Sequence, residues 1–202
     1  STIQDGVDDV ARNGTVNNKD GVYTAETLVN KKVTISGNGA NTIINASYFF
    51  DDFEDGDTNG WWLGYSLAHP ANNGNWRVEN GELVQDTGFD GVIALVDSVT
   101  NTNQTIQTKL KINGPSGYGG FILWYKDDNN WTDATIYPAN KWFEVSAHVN
   151  GITYGYQFPY PSLSNDTWYV LKIIADSSNG NLDVYLDGNY IFSHTMNTTN
   201  RD

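Results

Sequence analysis

From Phe143 to Val149 apolar and polar residues change places at every position: Phe143, Val145, Ala147 and Val149 are separated by Glu144, Ser146 and His148. A period of two puts successive side chains on opposite faces of a pleated strand, so this run dries one face and wets the other and does not suit a helix. Ile106, Thr108, Leu110 and Ile112 alternate with Gln107, Lys109 and Lys111, and Ile152, Tyr154, Tyr156 and Phe158 repeat the pattern. Asp187-Gly188 stands between NLDVYL and NYIFSH, a type I′ hairpin signal. Strands about every ten residues with no helical stretch between them predict an all-β chain built on an antiparallel two-sheet sandwich over residues 49–202.

Residues 1–48 have another rhythm. Ile3, Val7, Val10 and Ala11 recur at helical spacing, so TIQDGVDDVA predicts one short N-terminal helix, and Asn13-Gly14 suits its end. Short apolar pieces follow between turn residues: TVN, GVYTAETLV, KKVTISGNG and NTIINA.

Ile3-Gln4-Asp5-Gly6-Val7, Asp20-Gly21-Val22-Tyr23 and Val33-Thr34-Ile35-Ser36-Gly37, in that order, resemble the capping helix and first coil of pectate-lyase-like right-handed parallel β-helix surface proteins, over residues 1–47. Further on, DDFEDGDTNGW, NWRVENGELVQD, GGFILWYKDDNNW and WYVLKIIADSSNGNLDVYLDGNYIF resemble, in order, the concanavalin A-like jelly roll and its laminin-G-like and levan-binding relatives. The two resemblances imply a jelly-roll sandwich preceded by a short helix and a single β-helix-like coil. The second also implies one more strand after the last hairpin, so the expectation is a sheet left open beyond Asn200.

The chain has 24 acidic and 11 basic residues, a formal net charge of −13. That balance offers no basic face for nucleic acid and disfavours anionic membrane surfaces. No run of apolar residues is long enough to span a bilayer as a helix. Only 17% of residues are charged, against about 25% in ordinary domains, so Asn, Thr, Ser, Gly and Tyr must cover much of the surface. Such a surface points to an extracellular or cell-surface protein. Six N-x-[ST] sequons, at Asn13, Asn45, Asn103, Asn130, Asn165 and Asn197, become glycosylation candidates if the chain is secreted.

Asp55, Asp57 and Asn59 stand in D-x-D-x-N-G spacing, which wraps oxygen ligands around Ca²⁺, the one cofactor the sequence offers. The same residues equally make a tight turn whose side chains bond their own backbone. Loop position twelve is Ser66 rather than a bidentate Glu, and the jelly-roll resemblance implies Asp52 as a further ligand.

Nothing in the sequence forms a catalytic constellation. The alternate-residue carboxylate run E-x-D-x-x-E of concanavalin-like hydrolases is missing, and Glu79 and Glu82 flank an Asn-Gly turn. His69, His148 and His194 lack metal-ligand spacing, there is no cysteine, and no G-x-S-x-G elbow occurs. The expectation is a protein without enzymatic activity.

Aromatic residues carry the binding signal. Trp131, Trp142, Tyr154 and Tyr156 offer flat apolar faces beside amides and carboxylates, as polysaccharide recognition needs. Large sandwiches also bury such rings in their cores. Two readings follow. In the first, the chain assembles head to tail with other copies of itself as a filament, sheath or array subunit, because one coil cannot bury its own faces; Val22, Leu28, Val33, Thr34 and Ile35 would carry that contact. In the second, it is a carbohydrate-binding module of a larger surface enzyme or adhesin.

Overall fold

The computed structural model describes residues 3–11, 14–19, 21–23, 34–39, 42–44, 51–65, 74–86, 92–96 and 103–196. The chain divides into two compact units, Ser1–Thr100 and Asn101–Asp202. This division falls about fifty residues beyond the boundary at residue 48 that the change of rhythm suggests. Alternation identifies strands without saying which sheet they join. Here the strands between residues 61 and 96 form local two-stranded ladders.

In the first unit, helix α1 (Ile3–Asp9) precedes β1 (Thr15–Asn18), β2 (Gly21–Tyr23), β3 (Thr34–Gly37) and β4 (Thr42–Ile44). β1 pairs with β3 in parallel, Thr15 opposite Thr34, and β2 pairs with β4 in parallel, Gly21 opposite Thr42. These are offsets of nineteen and twenty-one residues. Ile3 and Val16 are buried, and Gly6 lets α1 approach closely, since a Cβ there would lie 2.6 Å from Val16 Cγ1. β5 (Trp61–Tyr65) pairs antiparallel with β8 (Val92–Val96), and β6 (Arg77–Glu79) with β7 (Glu82–Val84). Trp62 lies across Gly64, where a Cβ would sit 2.0 Å from the indole.

The second unit is a sandwich of two four-stranded antiparallel sheets. The first has the order β10 (Gly119–Asp127), β11 (Asn130–Tyr137), β12 (Trp142–Val149), β13 (Ile152–Pro159). The second has the order β16 (Asn189–Thr195), β15 (Asn181–Leu186), β14 (Trp168–Asp176), β9 (Gln104–Lys111). Leu123, Ile136, Phe143 and Val145 from the first sheet meet Leu171, Ile173, Leu182 and Val184 from the second in one buried cluster. Phe143 contacts Phe192 edge-on at 5.7 Å between ring centroids. Asp187 (φ 49°) and Gly188 (φ 78°) make the expected turn between β15 and β16, and Asn150 (φ 51°) with Gly151 (φ 79°) turns β12 into β13 in the same way.

The strand at 152–158 departs from the one-face-dry expectation. Ile152 to Gln157 are all exposed, although Tyr154 and Tyr156 point to the same side as the half-buried Phe158. Among the described residues β13 is the last strand of its sheet and β16 the last of the other, so the side chains at this margin have a described neighbouring strand on one side only.

Candidate functional site

The register of the first sheet sorts its side chains into two faces. Phe143, Val145 and Ala147 of β12, with Ala134 and Ile136 of β11, point into the core. The opposite face carries Trp131, Asp133, Thr135 and Tyr137 from β11, paired with His148, Ser146, Glu144 and Trp142 of β12. Gln157, Gly155 and Thr153 of β13 complete the rows.

A polar cluster occupies the middle of this face. Ser146 Oγ donates to Glu144 Oε1 at 3.3 Å, Gln157 Nε2 donates to Glu144 Oε2 at 2.9 Å, and Thr135 Oγ1 contacts Asp133 Oδ2 at 3.5 Å. Asp133 is buried, and its Oδ1 has no hydrogen-bond partner. His148 Nε2 stands 3.9 Å away, too far for a hydrogen bond. Burial first, and then the nearby Glu144 charge, push the Asp133 carboxyl up to about 7 against the contrary pull of the Ser146 hydroxyl. Burial lowers His148 below its ordinary value, so the imidazole is neutral at neutral pH. Sequence inspection missed this carboxylate pair because its members lie eleven positions apart and meet only through strand register.

Aromatic rings close both ends of the face. Trp131 stacks on His148 with centroids 3.5 Å apart, and its indole N–H donates to Asp128 O at 3.3 Å. At the other end Tyr118 stacks on Tyr137 at 4.7 Å, and Tyr137 lies 6.0 Å from Trp142. Both tryptophans are half-buried, and Trp142 Nε1 is buried without a hydrogen-bond partner. Trp131 therefore has one ring face and its polar handle already occupied.

Tyr154 and Tyr156 lie on the other face, so the four aromatic candidates split into two pairs that do not share a site. Tyr154 is 49% exposed and Tyr156 47%. Their row continues along β13 to Phe158, which stacks on Phe192 of β16 at 3.9 Å. Tyr156 lies 4.4 Å from the His194 ring. Where the row ends, Phe158, Pro159, Tyr160, Asn189, Tyr190, Ile191 and Phe192 line a groove of about 390 Å³. Among the described residues, the stretches 149–165 and 188–196 that form this margin contain no Asp, Glu, Lys or Arg, and Lys141 reaches it by donating to Leu163 O.

The acidic loop is a chain of local turns. Asp57 N donates to Asp55 Oδ1 at 3.3 Å, Asn59 N to Asp57 Oδ1 at 2.8 Å, and Glu54 N to Asp52 Oδ1 at 3.3 Å. Asn59 Nδ2 also donates to Asp57 Oδ2 at 2.7 Å, and Trp61 Nε1 to Asp51 Oδ2 at 2.7 Å. Among the described residues no three or more His, Cys, Asp or Glu side chains converge on one point as metal ligands. In this arrangement Ca²⁺ would have to compete with backbone amides for these oxygens.

The sequons differ in how occupied their amides are. Asn130 Nδ2 donates to Asp127 Oδ1 at 2.8 Å while its Oδ1 accepts from Asn150 N at 3.0 Å, so an attached glycan would disturb two turns. Asn103 Oδ1 accepts from Ser177 N at 3.0 Å, and Asn165 Oδ1 is buried without a partner. Asn13, Asn45 and Asn197 lie outside the described residues, as do Leu28 and Val33 of the assembly set. Val22 lies in β2, and Thr34 and Ile35 lie in β3.

No family model and no curated protein sequence matches the chain. Among solved structures, the carbohydrate-binding module CBM66 of Bacillus subtilis matches with a TM-score of 0.56 at 17% identity, over 69% of this chain and 81% of the module. A heptameric SAP-like pentraxin of Limulus polyphemus matches with a TM-score of 0.34 at 14% identity, over 46% of this chain and 43% of that one, too weakly to bear on the fold. The chain thus contains a β-sandwich of the jelly-roll type, a fold it shares with a carbohydrate-binding module. The β-helix likeness of residues 1–47 has no counterpart in these matches.

Two predictions follow from the site. The folded chain retains the Asp133 proton between about pH 4 and pH 7, where an unfolded chain has released it, so this group's contribution to stability is whole below about pH 4 and is lost as the pH rises through about 7. Asp133→Asn should leave stability near pH 4 unchanged and raise it at pH 8 by on the order of 3 kcal/mol, as read from urea unfolding at both values. For the loop, melting in millimolar Ca²⁺ and in chelator tests the metal directly: a bound ion raises the midpoint, whereas self-bonded turns leave the two curves superimposed.

Proposed function

We propose that the chain is a glycan-binding module, and that the uncharged aromatic margin of the sandwich is its binding surface. The observation that carries this reading is the groove lined by Phe158, Tyr160, Tyr190 and Phe192 and prolonged by Tyr156 and Tyr154. Aromatic faces suit the C–H faces of sugar rings, and the Asn189 amide supplies a polar group for hydroxyls. Absence of charge along this margin favours a neutral polysaccharide, because no fixed charge has to be stripped of water on contact. The fold shared with a carbohydrate-binding module is compatible with this role but does not select the ligand. Affinity electrophoresis through neutral polysaccharides is the test. Tyr156→Ala and Tyr190→Ala remove exposed rings, so retention should fall by about tenfold or more, a loss of roughly 1.4 kcal/mol or more, with unfolding midpoints unchanged. Wild-type protein that runs unretarded through every neutral gel would overturn the reading.

Self-assembly at a cell surface is the second reading, and open strand edges favour it. Among the described residues β3, β4 and β13 each pair on one side only, and β13 lacks the charges that usually guard an edge. Thr34 N is already committed to Gly14 O at 2.9 Å, so a proline there would break a bond within the chain. Backbone groups of successive strand residues point to opposite edges, which turns the Ile35 N–H outwards. Ile35→Pro should therefore shorten or abolish fibres seen by electron microscopy while sparing the sandwich's unfolding transition. Native protein that sediments as a monomer at high concentration would exclude assembly through these edges.

A further inference from the structure

The second sheet presents its own outer face, on which lysines gather in a chain that is acidic as a whole. On β9, Lys109 and Lys111 alternate to this side, with Val170 and Trp168 of β14 opposite them. Lys109 Nζ lies 5.0 Å and Lys111 Nζ 4.8 Å from the centroid of the Trp168 ring, so two ammonium groups flank one indole. Lys172 follows on β14 opposite Gln107, its Nζ 5.7 Å from the Tyr185 ring. Trp168 remains 37% exposed.

Among the described residues none of these three lysines forms an ion pair, in a chain with 24 carboxylates to 11 basic groups. The acids of the same face have hydrogen-bond partners of their own. Asp187 Oδ1 accepts from Val170 N at 2.8 Å, Asp183 Oδ1 accepts from Asn181 Nδ2 at 2.9 Å, and Asp176 binds Ser178 and Asn179 at the far end of β14. Asp187 thus lies at the lysine and indole end of β14, with one carboxylate oxygen taken by the Val170 amide, whereas Asp176 lies at the far end.

We propose that Lys109 and Lys111, which flank Trp168, form a second binding surface with Lys172 further along β14, for a carboxylate-bearing polysaccharide such as a polyuronate. Two lysines two positions apart on a strand stand about 7 Å from each other, a separation that lets one chain of repeating charges engage both. The indole meets the apolar face of a sugar ring, which an inorganic anion lacks, while the ammonium groups act as point charges on its carboxylates. Three lysines without arginine are too few to follow a nucleic-acid backbone. At physiological salt the field of a charge fades over about 8 Å, so local ammonium groups prevail over the distant net negative charge. β9 and β16 are opposite margins of this sheet, which separates Lys109 and Lys111 from the aromatic groove, while Lys172 over Tyr185 lies between them.

Calorimetric titration of the whole chain with polygalacturonate, in about 0.1 M salt where screening acts over about 10 Å, tests the proposal. Fully methyl-esterified polymer and dextran sulfate serve as the other arms. Wild-type protein should bind polygalacturonate and not its ester. The double variant Lys109→Gln/Lys111→Gln and the single variant Trp168→Ala should each weaken binding about tenfold, with unfolding midpoints preserved, while Tyr156→Ala leaves it unchanged. No binding by the wild type would overturn the proposal. So would binding of dextran sulfate that Trp168→Ala does not affect, together with an unaltered response to polygalacturonate, since that pattern is diffuse charge attraction. Failure here leaves the neutral-glycan reading untouched, because Tyr154 and Tyr156 lie on β13 of the other sheet.

Discussion

The register between β11, β12 and β13 fixes what each face of the first sheet can do. These strands alternate in polarity, so a slip of one residue would bring Glu144, Ser146 and His148 into the core and turn Phe143, Val145 and Ala147 outwards. Two loops prevent this. Asn150-Gly151 turns the chain with positive φ at both positions, matching the strand twist. Gly151 N then bonds Asn129 O at 3.0 Å, and Asn150 N bonds Asn130 Oδ1 at 3.0 Å. The turn joining β12 to β13 is thus tied to the turn joining β10 to β11. Asp133, Ser146 and Glu144 meet only as a consequence of that lock.

The same sheet order explains the aromatic margin. A core-facing side chain is dried by the opposite sheet and by neighbours on both sides, and among the described residues β13 has a neighbouring strand on one side only. Tyrosine tolerates such a place because its ring can lie on apolar neighbours while its hydroxyl stays wet. The opposite margin is handled differently. β9 carries lysines, a charge that also discourages another strand from adding to an open edge. The sandwich therefore has two chemically distinct borders, one neutral and aromatic, the other cationic.

Much of the sandwich was legible in the sequence because alternation is a local signal. Phe143 to Val149 and the Asp187-Gly188 hairpin needed no knowledge of distant residues. The edge position of Ile152 to Phe158 was not legible, since whether a strand is central or marginal depends on pairing with remote segments. The split of the aromatic candidates had the same cause: Trp131 and Tyr154 carry no local mark of the face they will occupy. Asp133 reads as an ordinary polar strand residue, and only burial against Ser146 and Glu144 makes its carboxyl unusual. In the acidic loop the sequence left ligand and turn open, because both use the same Asp and Asn oxygens, and only the geometry shows them bonded to their own amides.

Glycan binding and strand addition make different demands on β13, although both would use it. A sugar ring needs the flat faces of Tyr154 and Tyr156, which project from the sheet. An added strand needs the backbone N–H and C=O groups, which point sideways in the plane of the sheet. Ring truncation therefore weakens the first and leaves the ladder donors of the second in place, whereas removing a backbone donor does the reverse. The lack of charge on this strand serves either partner, for different reasons. A neutral glycan meets no fixed ions that must shed water, and a second copy carrying the same −13 is repelled least where neither surface bears charge. Composition alone cannot separate the two roles at this margin, but the direction in which each group points does.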